Sequence, residues 1–459
     1  MQFRNEKSLL DNAKSEAILK LRRDGIDILC SAIDAVDPKK AVKNRIKVQG
    51  GHLLSDNIDF DLNEFDRVYC VGGGKAGGSM AEAVEELLGD RISDGWVNVL
   101  KGTEGSYQVD RIKLNGASHP IPDMDGVRGV GQMLSMADKA GENDLLVVLI
   151  SGGGSALMPY PAKGVVLDEF RELTELILRS GATINELNSV RKHLSSFKGG
   201  QLAVRSFPAT VISLILSDVV GDPLDTIASG PTAPDETTYS DALNVLHRYS
   251  LWDRTSESIR RRLENGVEGR VRETPKYGDK IFKKVFNLVV GSNLVASKAA
   301  IDRASILGYN TLLLSTRIEG EARHVGTVFA GIAKEVANSG YPVPAPTAVV
   351  IGGETTVSVT GSGRGGRNQE VALSAAMRLE ELDAVIAALA TDGIDGPTEA
   401  AGAMVDGFTI KRAMDIGLNP LESLRNNDSN SFFSSLGDEI ITGPTGTNVN
   451  DLTLILVSG

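Results

Sequence analysis

RVYCVGGGKAGGSMAEAVEELLG, residues 67–89, decides how this chain is read. Val68–Val71 is an apolar run, Gly72–Gly78 is a glycine cluster holding Lys75 and Ala76, and Met80, Val84, Leu87 and Leu88 fall on one helical face. The order predicts strand, tight turn, helix. Gly72, Gly74 and Gly77 satisfy G-x-G-x-x-G, so a dinucleotide turn is one candidate. It would want an acidic residue about 20 positions on for a ribose, and Asp94 is near enough. Lys75 argues the other way, because pyrophosphate in that fold is held by backbone amides and a helix N-terminus and needs no lysine. A lysine there suits a more highly charged phosphate, or a carboxylate. The P-loop pattern G-x-x-x-x-G-K-S/T is absent, since Ala76 follows the lysine. A glycine turn with a solvated lysine is the plain alternative.

The same text recurs along the chain. LLVVLISGGGSALM (145–158) and TVISLILSDVVGD (210–222) are apolar strands running into loops, and so are TAVVIGGET (347–355) and AVIAALATDGIDG (384–396). Continuous apolar runs indicate strands buried on both faces, as in parallel sheets. Residues 8–36 read as one opening helix, 168–181 as a helix stopped by Gly181, and 320–339 as another helix. The charged stretch 251–284 reads as a helix and a domain junction. VFNLVVGSNLVASKAAIDRASILGYNTLLLST after it reads as a strand–helix–strand unit. Strands alternating with helices predict an α/β fold of two domains, residues 1–265 and 280–459. The first would be Rossmann-like with a mostly parallel sheet, its opening helix free to pack on the other domain. The second would be a further α/β domain. Ligands in such sheets sit at the carboxyl ends of strands, where the glycine clusters fall, so one shared cleft between the domains is expected.

Composition narrows the function. The 459 residues carry a formal net charge of −12, a poor match to nucleic acid. Two cysteines and five scattered histidines offer neither a disulfide framework nor a preassembled zinc site. The N-terminal text is too charged for a signal peptide and no run reaches transmembrane length, so cytoplasm is expected and a membrane is not.

Within the loops, Gly73, Gly74 and Lys75 form one candidate anion nest, and Ser151, Gly152, Gly153 and Ser155 form a second. In NSVRKHLSSFKGGQLA (188–203), a helix would put Arg191 and Lys198 on one face, ready for a carboxylate or simply solvated. Asp218 and Asp222 sit beyond a buried strand, where a carboxylate accepts a proton or holds hydrated magnesium, and Ser229 supplies a hydroxyl. Gly353 and Glu354, then Arg364, Arg367 and Asn368, combine glycines, fixed charge and a helix start, which suits charge on a transferring phosphoryl group. Asp392 ends another strand and is a second candidate for magnesium.

Taken in order, VGGGKAGGSMAEA, LISGGGSALM, NSVRKHLSSFKGGQLA, LSDVVGDPLDTIASGPTAPD, GGETTVSVTGSGRGGRNQE, ATDGIDGPTEAAGA and TGPTGTNVNDL resemble the class II glycerate kinases. The C-terminal part of that family is its multi-organism-fragment-rich-in-leucine domain. The resemblance runs from about residue 66 to the last residue. It implies ATP-dependent phosphorylation of D-glycerate to 2-phosphoglycerate with Mg2+ or another divalent cation, in two α/β domains. It also implies that Lys75 and Arg367 are the residues tied to activity, and it is compatible with a homodimer. Our own assignment gives Lys75 and Arg191 to the acid (Lys75 alternatively to the transferred phosphate), Asp218 to its 2-hydroxyl proton and Arg367 to the γ-phosphoryl charge. Asp392 or Asp222 takes the metal through water. The rival reading is an NAD(P)H-dependent hydroxypyruvate reductase, resting on the same glycine turn and a closely similar substrate.

Overall fold

The computed structural model describes residues 2–56 and 58–459. The chain divides into two compact units, Pro38–Val290 and a second that joins Gly291–Gly459 to the segment ending at Asp37.

The Pro38–Val290 unit is built on a six-stranded sheet. In spatial order its strands are Ile112–Ala117, Ile92–Leu100, Arg67–Gly73, Asp144–Ile150, Thr210–Leu216 and Val285–Gly291. Numbered along the chain, that order is 3-2-1-4-5-6, the doubly wound arrangement of dinucleotide folds. The first five strands pair in parallel. Strand Asp144–Ile150 is buried along its whole length, which is why its text shows no polar alternation. Because the strands run the same way, the loops after Gly73, Ala117, Ile150 and Leu216 leave from one edge of the sheet. The strand order reverses between Arg67–Gly73 and Asp144–Ile150, so the loops of Lys75 and Ser151 flank the switch point.

Three expectations change here. Strand Val285–Gly291, assigned by its text to the second domain, is the sixth strand of this sheet, so the division falls after Val290 rather than near 280. Residues 188–203 are not one helix. Helix Ile184–His193 ends, a turn follows, and a new helix starts at Gln201. Ser195 Oγ accepts the Phe197 and Lys198 amides (3.1 and 3.2 Å), a local bond that competes with helical pairing, and Gly199 and Gly200 then take φ of 56° and 75°. The opening segment is two helices, Glu6–Asp11 and Glu16–Ala35, because Ser15 caps the second by accepting the Ile18 amide (3.2 Å).

The second unit carries another six-stranded sheet, in the order Asn310–Ile318, Thr347–Gly353, Asp451–Val457, Ala384–Ala390, Gly402–Asp406, Glu439–Ile440. Only the first pair is parallel; every other neighbour is antiparallel. The runs at 347–353, 384–390 and 451–457 are nonetheless buried throughout. Helices on both faces make the text continuous, whatever the strand direction. The opening helices belong to this unit. Arg22 is fully buried, its Nε donating to Asp406 Oδ2 (2.7 Å) and its Nη1 to Leu9 O and Asp438 Oδ1 (2.8 and 3.0 Å).

Candidate active site

In the Pro38–Val290 unit the site is assembled on the carboxyl edge of the sheet. The turn after strand Arg67–Gly73 does not form the open anion nest its glycines suggested. Gly74 N donates to Asn98 O, Lys75 N to Gly152 O, Ala76 N to Ser151 Oγ and Gly77 N to Gly74 O. The glycines instead allow two loops to touch. Gly74 has φ 145°, and a Cβ there would lie 2.1 Å from Ser151 Oγ. With its amides taken, the turn offers a ligand mainly the exposed Lys75 side chain. The dinucleotide reading loses its second support as well. Asp94 lies in the amino-terminal part of strand Ile92–Leu100, paired with Tyr69, far from the edge where a ribose would rest.

Lys75 faces two further groups. A Cβ placed on Gly153 would meet Lys75 Cγ and His119 Cδ2 (both 3.1 Å), and one on Gly152 would meet Asp218 Oδ2 (2.2 Å). Burial raises the Asp218 pKa and Lys75 partly opposes that rise. Burial, reinforced by Lys75, lowers the His119 pKa. Sequence reasoning passed over His119, because the polar strand Ile112–Ala117 that delivers it carries no apolar signature.

Arg191 and Lys198 meet although no helix joins them. Lys198 is fully buried and its Nζ donates to Ser155 O (3.0 Å). Desolvation, then Arg191, pulls its pKa down to about 7. Desolvation also lowers Arg191 to about 10. Among the described residues neither cation has a carboxylate partner, whereas neighbouring Lys192 pairs with Asp225 and Asp235 (2.9 and 3.3 Å). The solvated-face alternative therefore fails for this stretch, in which Lys192, His193 and Lys198 are all buried. Arg191 and Ser155 line a cavity of about 310 Å³ whose other walls include Pro120, Ile121, Phe170 and Leu178. Ser155 Oγ meets Ser229 Oγ (2.9 Å), which bonds to Asn188 (3.1 Å).

The second unit holds the other cluster. Helix Arg367–Ala376 starts after Gly366 and lacks a side-chain cap from its own flank. Buried Asp395 does that work from another loop, accepting the Asn368 and Gln369 amides (3.1 and 2.9 Å). Burial lifts Asp395 to about 6 against those bonds. Arg367 is gripped by Asp451 through Nε (2.6 Å) and Nη2 (2.9 Å), and its Nη1 lies 3.1 Å from Glu354. Asn368 Nδ2 also donates to Asp451 (3.0 Å). Asp451 opens the antiparallel strand opposite Gly353 and Ala390, so its amino end meets the carboxyl ends of both neighbours. Arg367 also lines a cavity of about 450 Å³ with Thr355, Gly366 and Glu370. Arg364 stays exposed on the loop and donates to Pro397 O (2.8 Å).

Among the described residues no three His, Cys, Asp or Glu side chains gather to hold an ion. Asp222 and Asp392 lie in different units, and Asp392 accepts the Ile394 amide (3.0 Å).

Residues 25–264 match a domain family described only as of unknown function, DUF4147, and residues 347–451 match the MOFRL family. A glycerate 2-kinase from Pyrococcus horikoshii is 41% identical over 96% of this chain and 98% of its own. The chain belongs to the glycerate kinase family. Another member of the family, a D-glycerate 2-kinase from Thermotoga maritima, is 43% identical over 95% of this chain and 98% of its own. A glycerate kinase of solved structure from that organism superposes with a TM-score of 0.85 at 41% identity, covering 95% and 99% of the two chains. An Agrobacterium vitis relative, 40% identical over 94% and 93%, is provisionally named a hydroxypyruvate reductase. Among the described residues no helix is long and apolar enough to cross a membrane.

Proposed function

We propose that the protein is a glycerate 2-kinase of class II, transferring the γ-phosphoryl group of ATP to the 2-hydroxyl of D-glycerate. Kinase relatives of near-equal length support the reaction class. One observation in this chain carries the substrate: Arg191, which lines a cavity of about 310 Å³, and Lys198, which feels its charge, are desolvated and have no carboxylate partner among the described residues. Charge removed from water demands a counter-charge, and the carboxylate of a small acid supplies it.

The chemistry needs positioning and charge neutralisation more than a covalent catalyst. Arg191 and Lys198 take the acid's carboxylate, with the hydroxyls of Ser155 and Ser229 at its side. Lys75 and Asp218 orient the 2-hydroxyl from the neighbouring turn. That oxygen bonds to the γ-phosphorus while the bond to the oxygen of departing ADP breaks. Arg367, aimed by Asp451 and Glu354, neutralises charge on the transferring group. Magnesium, when bound with the nucleotide, would neutralise phosphate charge, and Asp222 or Asp392 would hold it through water. Cytoplasm, where ATP is made and used, is the proposed location, and a homodimer the proposed assembly, which light scattering checks.

Incubation with D-glycerate and ATP, followed by phosphorus NMR, tests the reading. Expected are ADP and 2-phosphoglycerate in equal amounts. Appearance of 3-phosphoglycerate overturns the position of transfer. Silence here, with NADPH or NADH consumed on hydroxypyruvate, establishes the reductase instead.

A further inference from the structure

Three features of the Pro38–Val290 unit converge on a residue that the reading above leaves without a task. His119 lies two residues beyond strand Ile112–Ala117, on the same edge as Lys75, Ser151 and Asp218. A Cβ built on Gly153 would meet both the His119 Cδ2–Nε2 edge (3.1 and 3.3 Å) and Lys75 Cγ (3.1 Å). The chain immediately after it, Pro120 to Pro122, walls the cavity that Arg191 and Ser155 line. His119 therefore stands between the lysine turn and the proposed acid pocket. Among the described residues its ring makes no hydrogen bond. Contrast His193, whose two nitrogens are occupied by Ser189 O (2.6 Å) and Glu273 (2.8 Å). A half-buried imidazole without a protein partner is suited to meet a ligand.

We propose that His119 is the general base of the reaction, its Nε2 taking the proton from the 2-hydroxyl of the bound acid. The inference rests on the kinase reading. The 2-hydroxyl oxygen forms its bond to the γ-phosphorus, ADP leaves with the electron pair of the broken bond, and the hydroxyl proton moves to the imidazole and then to solvent. The charged groups around the ring suit this task. Burial, then Lys75, keeps the imidazole neutral at pH 7, while Asp218 packs at Gly152, the residue before Gly153, and Arg191, with Lys198 near it, lines the adjoining cavity. Asp218 is the competing acceptor, since burial raises its pKa. Lys75 stabilises its charged form, which favours an orienting role, whereas the His119 ring makes no hydrogen bond among the described residues.

The test uses the full chain with D-glycerate and ATP-magnesium. In His119→Gln, kcat should fall about 10²- to 10⁴-fold, with KM for D-glycerate within about threefold, and the acid limb of the kcat/KM profile should vanish. In His119→Ala, added imidazole should restore part of kcat. A kcat within threefold of the unsubstituted enzyme overturns the proposal. So does a low kcat with the acid limb intact and no imidazole rescue, which assigns the base to Asp218. Loss of the folded state in both variants makes His119 structural and overturns it as well. If the unsubstituted enzyme releases no ADP, the kinase reading itself fails, an outcome the variants cannot imitate.

Discussion

Lys198 shows what burial does to one side chain. Its pKa, held to about 7 by desolvation and then by Arg191, lies below that of a lysine in the unfolded chain. Between those two values the unfolded state binds the extra proton, so this group makes stability rise with pH from about 7 towards 10 and penalises the fold below 7. Binding has the opposite slope. A carboxylate favours the charged amine, so glycerate binding takes up a proton above pH 7, and kcat/KM should fall by up to about tenfold per pH unit there. Calorimetry in two buffers of different ionisation enthalpy reads the proton directly. Lys198→Met should keep or raise the melting temperature, because a buried charge is replaced by apolar volume, while KM for glycerate rises at least about tenfold. Arg367 makes the complementary case. Its grip by Asp451 is bidentate, so Asp451→Asn should lower kcat about 10- to 100-fold through misplacement, with KM for glycerate unchanged. Arg367→Ala should cost about 10³-fold or more in kcat. An Asp451→Asn enzyme with full kcat would show that Arg367 needs no aiming.

At the scale of elements, the glycine turns were legible as turns but not in their purpose. Their text promised amides pointing at a ligand, yet those of Gly74 to Gly77 are taken, mainly by the Ser151 loop and Asn98. The glycines are there for loop-to-loop contact. Gly74→Ala should therefore destabilise the protein by roughly 2–4 kcal/mol, from the added Cβ and the positive φ together. A thermal melt checks it, and activity should drop with it because Lys75 is carried on the same turn. The apolar strands at 68–73, 145–150, 210–216 and 347–353 could be read because burial on both faces leaves few polar residues to blur them. Strand Ile112–Ala117 could not, since much of it is only partly covered, and His119 was lost with it. Lys198 was found for an incomplete reason: the helix invoked to bring it to Arg191 stops at His193, and tertiary packing does the work instead.

The whole molecule is threaded so that its beginning and end belong together. The segment ending at Asp37 packs in the unit of Gly291–Gly459, and buried Arg22 ties it to Asp406 and Asp438. Arg22→Ala leaves buried Asp406 without its cation and Asp438 with Arg412 alone, at a cost of about 3–5 kcal/mol. Its melt should split, with the Gly291–Gly459 unit unfolding first; a single transition at the original temperature would mean the ion triad contributes little. The amino-acid text by itself determined the α/β class, the strands with continuous apolar runs, and the chemical character of the loops. Those properties follow from local periodicity and residue type, which neighbours in the chain record. Tertiary structure alone decided that the second sheet is mainly antiparallel, that Asp451 rather than solvent faces Arg367, and that His119 stands beside Lys75. Each depends on residues distant in sequence meeting in space, and burial imprints on a strand how much of it is covered but not which partner covers it.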